Sequence, residues 1–233
     1  MADRLCMGCM EVYEDKYDIC PYCGYKEGAP AKEAIHLAPG TVIGNKYIVG
    51  QSIGNGGFGV TYIGWDAVLN QKIAIKEYLP SEFSTRAMGV SNVTIFTGQK
   101  EEQFLSGVNK FMDEARRLAK FKGVSGIVDI HDTFQANNTA YIIMEYIDVE
   151  TLKERLEREG KIPYEEALKI MKPVVEALKE VHKEGILHRD ISPDNIMISK
   201  DGDVKIIDFG AARYATTGHS RSLSVLVKPG YAP

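Results

Sequence analysis

Two short strings, His188-Arg189-Asp190-Ile191-Ser192-Pro193-Asp194-Asn195 and Asp208-Phe209-Gly210, restrict what this chain can fold into more than any other feature. Phosphoryl transfer from ATP needs a carboxylate beside the attacking hydroxyl. It also needs an amide oxygen and a second carboxylate to hold magnesium against the phosphates. Asp190, Asn195 and Asp208 offer that set in that order. Short β-branched runs from Asn195 to Ser199 and from Val204 to Ile207 flank Asp201-Gly202, a hairpin signal. Such a hairpin would hold Asn195 and Asp208 side by side at one end. Taken singly, Asp and Asn most often cap turns; the ordered set carries the reading.

Upstream, Gly54-Asn55-Gly56-Gly57-Phe58-Gly59 would let backbone amides approach phosphate, because residues without Cβ turn tightly and leave their N–H groups exposed. The same pattern could open a dinucleotide-binding unit, but that requires a helix directly afterwards. Val60-Thr61-Tyr62-Ile63-Gly64-Trp65 reads instead as a strand, so a glycine-rich hairpin over a nucleotide fits better. Ile73-Ala74-Ile75-Lys76 is a further strand, with Lys76 placed to reach the α- and β-phosphates. The helical spacing from Phe111 to Leu118 offers Glu114 as its partner, with Asp113 and Glu102 as nearby alternatives.

From about Gly40 to Pro233 these motifs resemble the eukaryotic-type protein kinases, in the serine/threonine form found in bacteria. The resemblance implies an α+β, bilobal fold, with the smaller lobe over 40–146 and part of the larger lobe over 147–233. It implies that Met144 is the gatekeeper of a hinge in which Glu145 and Ile147 read the adenine edge. Ala74 and Met197 would sandwich the ring, and Ile53, Phe58 and Thr61 would join the nucleotide contacts, Thr61 standing where the family usually has valine. Leu118, Ile130, His188 and Phe209 would form the stacked regulatory spine, although all are also ordinary core residues. Two departures stand out. Ser192 takes the place of the usual lysine after the catalytic Asp, and Lys228 that of the usual threonine before Pro229, so Lys228 is expected to bring the missing cation to the active site. Arg189 would pair with a phosphorylated activation segment, whose acceptors are Thr216, Thr217, Ser220, Ser222 and Ser224.

The chain stops one residue short of the family's Ala-Pro-Glu signature, which leads to the expectation of a fragment cut inside the activation segment. Such a fragment would bind ATP with weak or no peptide phosphorylation. Tyr164 to Lys183 reads as a helix between Pro163 and Gly185, with Ala167, Leu168, Met171, Val174, Val175, Leu178 and Val181 on its apolar face. Part of that face would be bare and would favour self-association.

A separate signal lies in Cys6-Met7-Gly8-Cys9 and Cys20-Pro21-Tyr22-Cys23-Gly24, two C-x-x-C pairs ten residues apart. The pattern is that of a zinc ribbon over 1–25, in which each pair presents two thiolates to a tetrahedral ion. Disulfides are the alternative, and they fit an intracellular enzyme class poorly. So few residues cannot bury enough core to fold without metal. Six acids against three bases up to Gly28 argue against nucleic-acid binding. Residues 26–39, with Pro30, Pro39 and Gly28, read as a linker.

Net charge −4 and 44% hydrophobic content suit a globular protein with a substantial core and no basic bias. With neither a membrane-span pattern nor a secretory leader, a cytoplasmic address is expected. The combined expectation is a serine/threonine kinase acting on a protein substrate, with ATP, Mg²⁺ and Zn²⁺ as cofactors. A nucleotide-binding scaffold working through protein contacts is the alternative, and a small-molecule kinase the third reading.

Overall fold

The computed structural model describes residues 3–56, 59–209 and 213–214 and divides into two compact units. One comprises Met1–Arg116 with Ile130–Tyr146, the other Arg117–Asp129 with Ile147–Pro233.

In the first unit β1 (Asp3–Leu5) and β2 (Val12–Glu14) pair as an antiparallel hairpin. A six-stranded antiparallel sheet follows, built from β3 (Val42–Ile43), β4 (Tyr47–Gly56), β5 (Gly59–Asp66), β6 (Gln71–Tyr78) and, later in the chain, β9 (Ile130–Ala136) and β10 (Thr139–Glu145). Its strand order is β3-β4-β5-β6-β10-β9. Turn chemistry sets the register. Asp66 accepts from the N–H groups of Val68 (2.9 Å) and Leu69 (3.0 Å) between β5 and β6. Asn137 and Asn138, at φ 53° and 60°, form the two-residue turn joining β9 and β10. Asn tolerates positive φ better than other residues with a Cβ, so the pair suits a primed turn whose twist matches the strands.

Between β6 and the helix α1 (Gln99–Leu118) lies a small insertion with its own pair, β7 (Ser84–Thr85) and β8 (Thr94–Ile95). On α1, Phe104, Val108, Phe111, Met112 and Ala115 are buried at helical spacing. The Tyr78 ring packs against Phe104 and Phe111, with centroids 5.2 and 5.6 Å away. Gly107 makes that possible, since a Cβ there would lie 1.8 Å from the Tyr78 hydroxyl.

The insertion is anchored by a buried ion pair. Arg86 and Glu77 are 3% and 0% exposed, and the Arg86 guanidinium donates to both Glu77 carboxylate oxygens. Arg86 also donates to the carbonyls of Ile35 (2.9 Å) and Ser91 (3.0 Å). The hydroxyls of Tyr62 (2.9 Å) and Tyr141 (2.7 Å) complete the shell around the carboxylate. Burial, and then the Glu77 charge, pushes both phenols upward in pKa. The Tyr62 oxygen accepts from the Leu37 N–H at 3.1 Å, so residues expected as a linker are tied at Ile35 and Leu37 to the back of the sheet. His36 and Leu37 are themselves buried there. Proline and alanine content gave no sign of this, because the contacts belong to strands far along the chain.

The second unit contains β11 (Val149–Thr151), α2 (Leu152–Glu159), α3 (Tyr164–Lys183), β12 (Ile186–Leu187), β13 (Ile196–Ser199), β14 (Val204–Ile206) and β15 (Arg213–Tyr214). Strands β11-β13-β14 form one sheet, and β12 pairs with β15. Thr151 caps α2 in a reciprocal box, accepting from the Glu154 N–H at 3.1 Å while Glu154 accepts from the Thr151 N–H at 2.7 Å. Helix α3 has the expected bounds. Its apolar stripe, however, is split: Ile170, Val174, Ala177 and Val181 are buried, whereas Leu168, Met171 and Val175 are exposed. Pro173 removes the N–H that would bond the Lys169 carbonyl, yet the helix continues through it. Gly126 packs at this point, where a Cβ would meet Ala177 Cβ at 2.9 Å and the Pro173 carbonyl at 3.0 Å.

Candidate active site and metal centre

In the first unit the glycine-rich segment joins β4 to β5 as a hairpin, with Asn55 paired to Val60 and Gly54 to Thr61. Its glycines serve different ends. A Cβ on Gly59 would lie 1.9 Å from the Glu77 carbonyl oxygen, and the residue has φ +154°, so packing alone demands glycine. Gly54 has nothing nearer than Thr61 Cβ at 3.8 Å, and Gly56 nothing within 4 Å. Among the described residues no contact explains glycine at these two positions. Gly57 and Phe58 lie outside the described residues.

Ile53, just before the loop, is exposed. Thr61 on β5 is paired with Lys76 on β6, which faces Ile142 of β10 on its other side. Ala74 is paired with Met144, and β10 ends at Glu145. Of the three acids considered for Lys76, Asp113 pairs with Arg116 at 2.9 Å on an exposed surface and Glu102 is exposed. Glu114 is half-buried, beside the buried Ala115.

In the second unit the hairpin β13–β14 brings the polar set together. Strand pairs Ile196 with Ile206, and Gly202 turns the chain at φ +85°. The Ile207 N–H donates to the Asn195 carbonyl at 3.0 Å, so that Asp208, two residues past the strand end, directly follows the residue bonded to Asn195. Asn195 is buried, and its amide nitrogen donates to the Asp190 carbonyl (2.8 Å) and to the Asp190 carboxylate (2.9 Å). Both bonds use Nδ2, so the orientation of the amide is assigned by its partners. His188 is buried against Phe209, with ring centroids 4.3 Å apart. Its Nδ1 accepts from the Asp190 N–H at 3.3 Å, so its Nε2 carries the proton and donates to the Ile207 carbonyl at 3.3 Å. Arg189 and Asp208 have φ +66° and +58°, conformations that residues with a Cβ seldom adopt. Asp194 pairs with Lys153 at 2.9 Å. Met197 on β13 is half-buried opposite Lys205, Ile147 is half-buried just before β11, and Leu118 and Ile130 are buried. Lys228, Gly210 and all five proposed phosphate acceptors lie outside the described residues.

The four cysteines converge in the first unit. Their sulfurs lie within 4.8 Å of one another, Cys6 to Cys23 at 3.5 Å and Cys9 to Cys20 at 3.8 Å, and none is in a disulfide. Four sulfurs about 2.3 Å from a tetrahedral zinc ion have edges of about 3.8 Å, so the set fits such an ion. Each knuckle closes in the same way. The Met10 N–H donates to the Cys6 carbonyl (2.8 Å) and the Gly24 N–H to the Cys20 carbonyl (2.9 Å), and both Met10 and Gly24 have positive φ. Tyr13 and Tyr25 pack with Cys6 and Cys20 as the module's small core. Burial pushes the Cys6 thiol up to about 11, against the pull of backbone N–H groups, and the neighbouring thiols add to the rise. Cys9 is raised in the same direction, chiefly by burial. Loading a metal must displace these protons, so its retention falls as pH falls.

An antiparallel sheet with a glycine-rich hairpin and one long helix, and a second unit in which one loop carries His188-Arg189-Asp190 and Asn195 and the hairpin after it leads to Asp208, define a class. Residues 47–233 match the protein kinase domain, and the chain belongs to that family. Bacterial kinases are among its curated relatives. It is 36% identical over 174 residues to a probable serine/threonine-protein kinase of Clostridium acetobutylicum, covering 75% of this chain and 23% of that protein. It is 31% identical over 186 residues to the serine/threonine-protein kinase PknL of Mycobacterium tuberculosis, covering 80% and 42%. A solved structure described as PpkA-294, apo form, superposes with a TM-score of 0.70 at 33% identity, covering 76% of this chain and 62% of that one. The chain thus spans between about a quarter and two fifths of the curated relatives' length.

Proposed function

We propose that this chain provides the nucleotide-binding and phosphotransfer machinery of a kinase that phosphorylates serine or threonine hydroxyls of proteins. The observation that carries the reading is the clamp in which Asn195 holds Asp190 by two hydrogen bonds while the β13–β14 hairpin sets Asp208 beside Asn195. In this reading Asp190 positions the substrate hydroxyl and takes its proton, and Lys76, paired with Glu114, steadies the α- and β-phosphates. Gly54 and Gly56 are glycine so that backbone N–H groups can approach the phosphates; the space around them among the described residues supports this. Magnesium, held by the Asn195 amide oxygen and the Asp208 carboxylate, would neutralise charge on the phosphates. Ala74, Met144, Glu145, Ile147 and Met197 take the adenine, with Ile53 and Thr61 beside it, and Lys228 supplies the cation that Ser192 lacks. The names of the bacterial relatives support serine and threonine as acceptors.

Millimolar Mg–ATP is expected to raise the melting temperature, as any ligand of the native state does. Asp208→Asn should abolish the magnesium-dependent part of that shift. No shift in the parent protein would overturn the nucleotide reading. A shift in the full-length protein without phosphate transfer to any protein acceptor would favour the scaffold instead.

The Cys6, Cys9, Cys20 and Cys23 cluster is assigned to zinc in a structural role, because four thiolates leave the ion no open position for chemistry. Purified protein should contain about one zinc per chain, lost on Cys20→Ser. Protein prepared without chelator and found free of zinc would overturn the assignment. Among the described residues no helix is long and apolar enough to cross a membrane.

A further inference from the structure

The metal-binding knuckle is joined directly to the strand that carries the glycine-rich loop. Pairing between β4 and β5 is irregular from Val49 to Ser52, so the pairing passes over Gly50 and Gln51. The Gln51 N–H turns to another acceptor, the carbonyl of Met7, at 2.8 Å. Met7 lies between Cys6 and Cys9, so the loop that would wrap the ion itself bonds to β4, three residues before Gly54.

Four further contacts lie along the same strand and its neighbours. Met10, 1% exposed, lies against Gly50, where a Cβ would come 2.3 Å from its Cε and 2.6 Å from the Met7 carbonyl oxygen. Glu11, directly after the knuckle, forms an ion pair with Lys72 of β6. Farther on, Lys32 donates to the Ser52 carbonyl at 2.8 Å, and Asn55, inside the glycine-rich loop, donates to Glu33 at 3.0 Å. Gly50 does not have positive φ, so its lack of a side chain answers to the close approach of the knuckle and of Ile63.

We infer that the zinc-loaded knuckle is a positioning element for the nucleotide. By holding β4 through Met7 and Met10, and β6 through Glu11, it sets the glycine-rich loop, so that metal occupancy and nucleotide affinity are coupled. The inference rests on the zinc and ATP readings above. With the ion lost, the residues from Cys6 to Cys9 lose their main source of order, since the module's own buried cluster is small, Cys6, Tyr13, Cys20 and Tyr25 with Met7, Cys9 and Ala29 packed against it. The bond from Gln51 and the cover over Gly50 then lose their fixed partner. A coupling of this kind is a free energy shared by two sites, and a typical one changes affinity by roughly 5- to 150-fold.

The test is the dissociation constant of a fluorescent ATP analogue with magnesium, measured on the whole chain with its zinc content determined in parallel. Stripping zinc should weaken binding by about 10-fold, within the usual span of such couplings, and adding zinc back should restore it. Gly50→Ala should weaken binding similarly while retaining zinc, because it disturbs the docking and none of the metal ligands. A charge exchange gives a milder variant: Lys72→Glu and Glu11→Lys should each weaken binding a few-fold, and the double variant should recover it. If catalysis is measured as well, these variants should raise KM for ATP with little change in kcat. Protein that holds zinc and binds the analogue equally well with zinc, without it and as Gly50→Ala overturns the inference alone. Protein that holds no zinc overturns it together with the ribbon, and protein that holds zinc but never binds the analogue overturns it together with the nucleotide reading.

Discussion

Replacing Asp190 with asparagine is expected to lower phosphate transfer by the full-length protein by about 10²- to 10⁴-fold, the usual contribution of a positioned general base. The change is close to isosteric. The new amide oxygen can still accept the 2.9 Å bond from Asn195, and the 2.8 Å bond to the backbone carbonyl is untouched. The loop should therefore keep its shape, and Mg–ATP should still raise the melting temperature as it does in the parent protein. Loss of rate with binding retained is what a group acting on the acceptor hydroxyl would show. Asn195→Ala should behave differently, because it removes the clamp on Asp190 together with the amide oxygen assigned to magnesium. Both rate and magnesium-dependent binding should fall. If Asp190→Asn turned over within about 3-fold of the parent, well short of the loss a general base accounts for, Asp190 would have no such role.

Replacing Arg86 with methionine should destabilise the chain by about 3–5 kcal/mol, the range for removing one partner of a buried ion pair. The cause is the charge left behind. Glu77 is fully buried, and without Arg86 its carboxylate would retain, among the described residues, the hydroxyls of Tyr62 and Tyr141. The carbonyls of Ile35 and Ser91 would lose their donors in the same change. In a chain of this length each kcal/mol moves the melting temperature by roughly 2–4 °C, so the deficit is easily read in a thermal melt. Arg116→Met is the control. Its pair with Asp113 is exposed, and its loss should cost less than about 1 kcal/mol. Tyr62→Phe and Tyr141→Phe should each fall between these cases, at about 1–3 kcal/mol for a buried acceptor stripped of a donor. A shift under about 2 °C for Arg86→Met, less than one kcal/mol is worth, would show that the buried network contributes little.

Much of the candidate site could be read from the chain because its chemistry is local. Asp190 and Asn195 are five residues apart on one loop, and the Asp201-Gly202 turn is enough to return the chain so that Ile207 bonds Asn195. The two C-x-x-C knuckles are likewise written in short segments, each closed by a residue of positive φ. Arg86 was not legible. It sits in an insertion with no motif, and an arginine there reads as a solvated charge until Glu77, Tyr62, Tyr141 and Ile35 are seen around it. The α3 stripe was legible only as a whole. Periodicity marks which residues are apolar, but which half of a wide stripe is covered depends on what packs there, as Gly126 does beside Pro173 and Ala177.

The sequence by itself determined the chemical inventory: three polar groups suited to phosphoryl transfer, a glycine-rich turn, a strand lysine and four thiols. Those features depend on residue type and on spacings shorter than a turn or a hairpin. Tertiary structure alone decided that the metal knuckle bonds to Gln51 of β4, that Arg86 enters the core, and that residues 35–37 are tied to the sheet. Each of these joins segments far apart in the chain, where a backbone carbonyl or a buried charge finds its partner only after the sheet has formed. A hydrogen bond from one main-chain group to another leaves no trace in side-chain identity, and Gly50 shows its reason only when Met7 and Met10 stand over it.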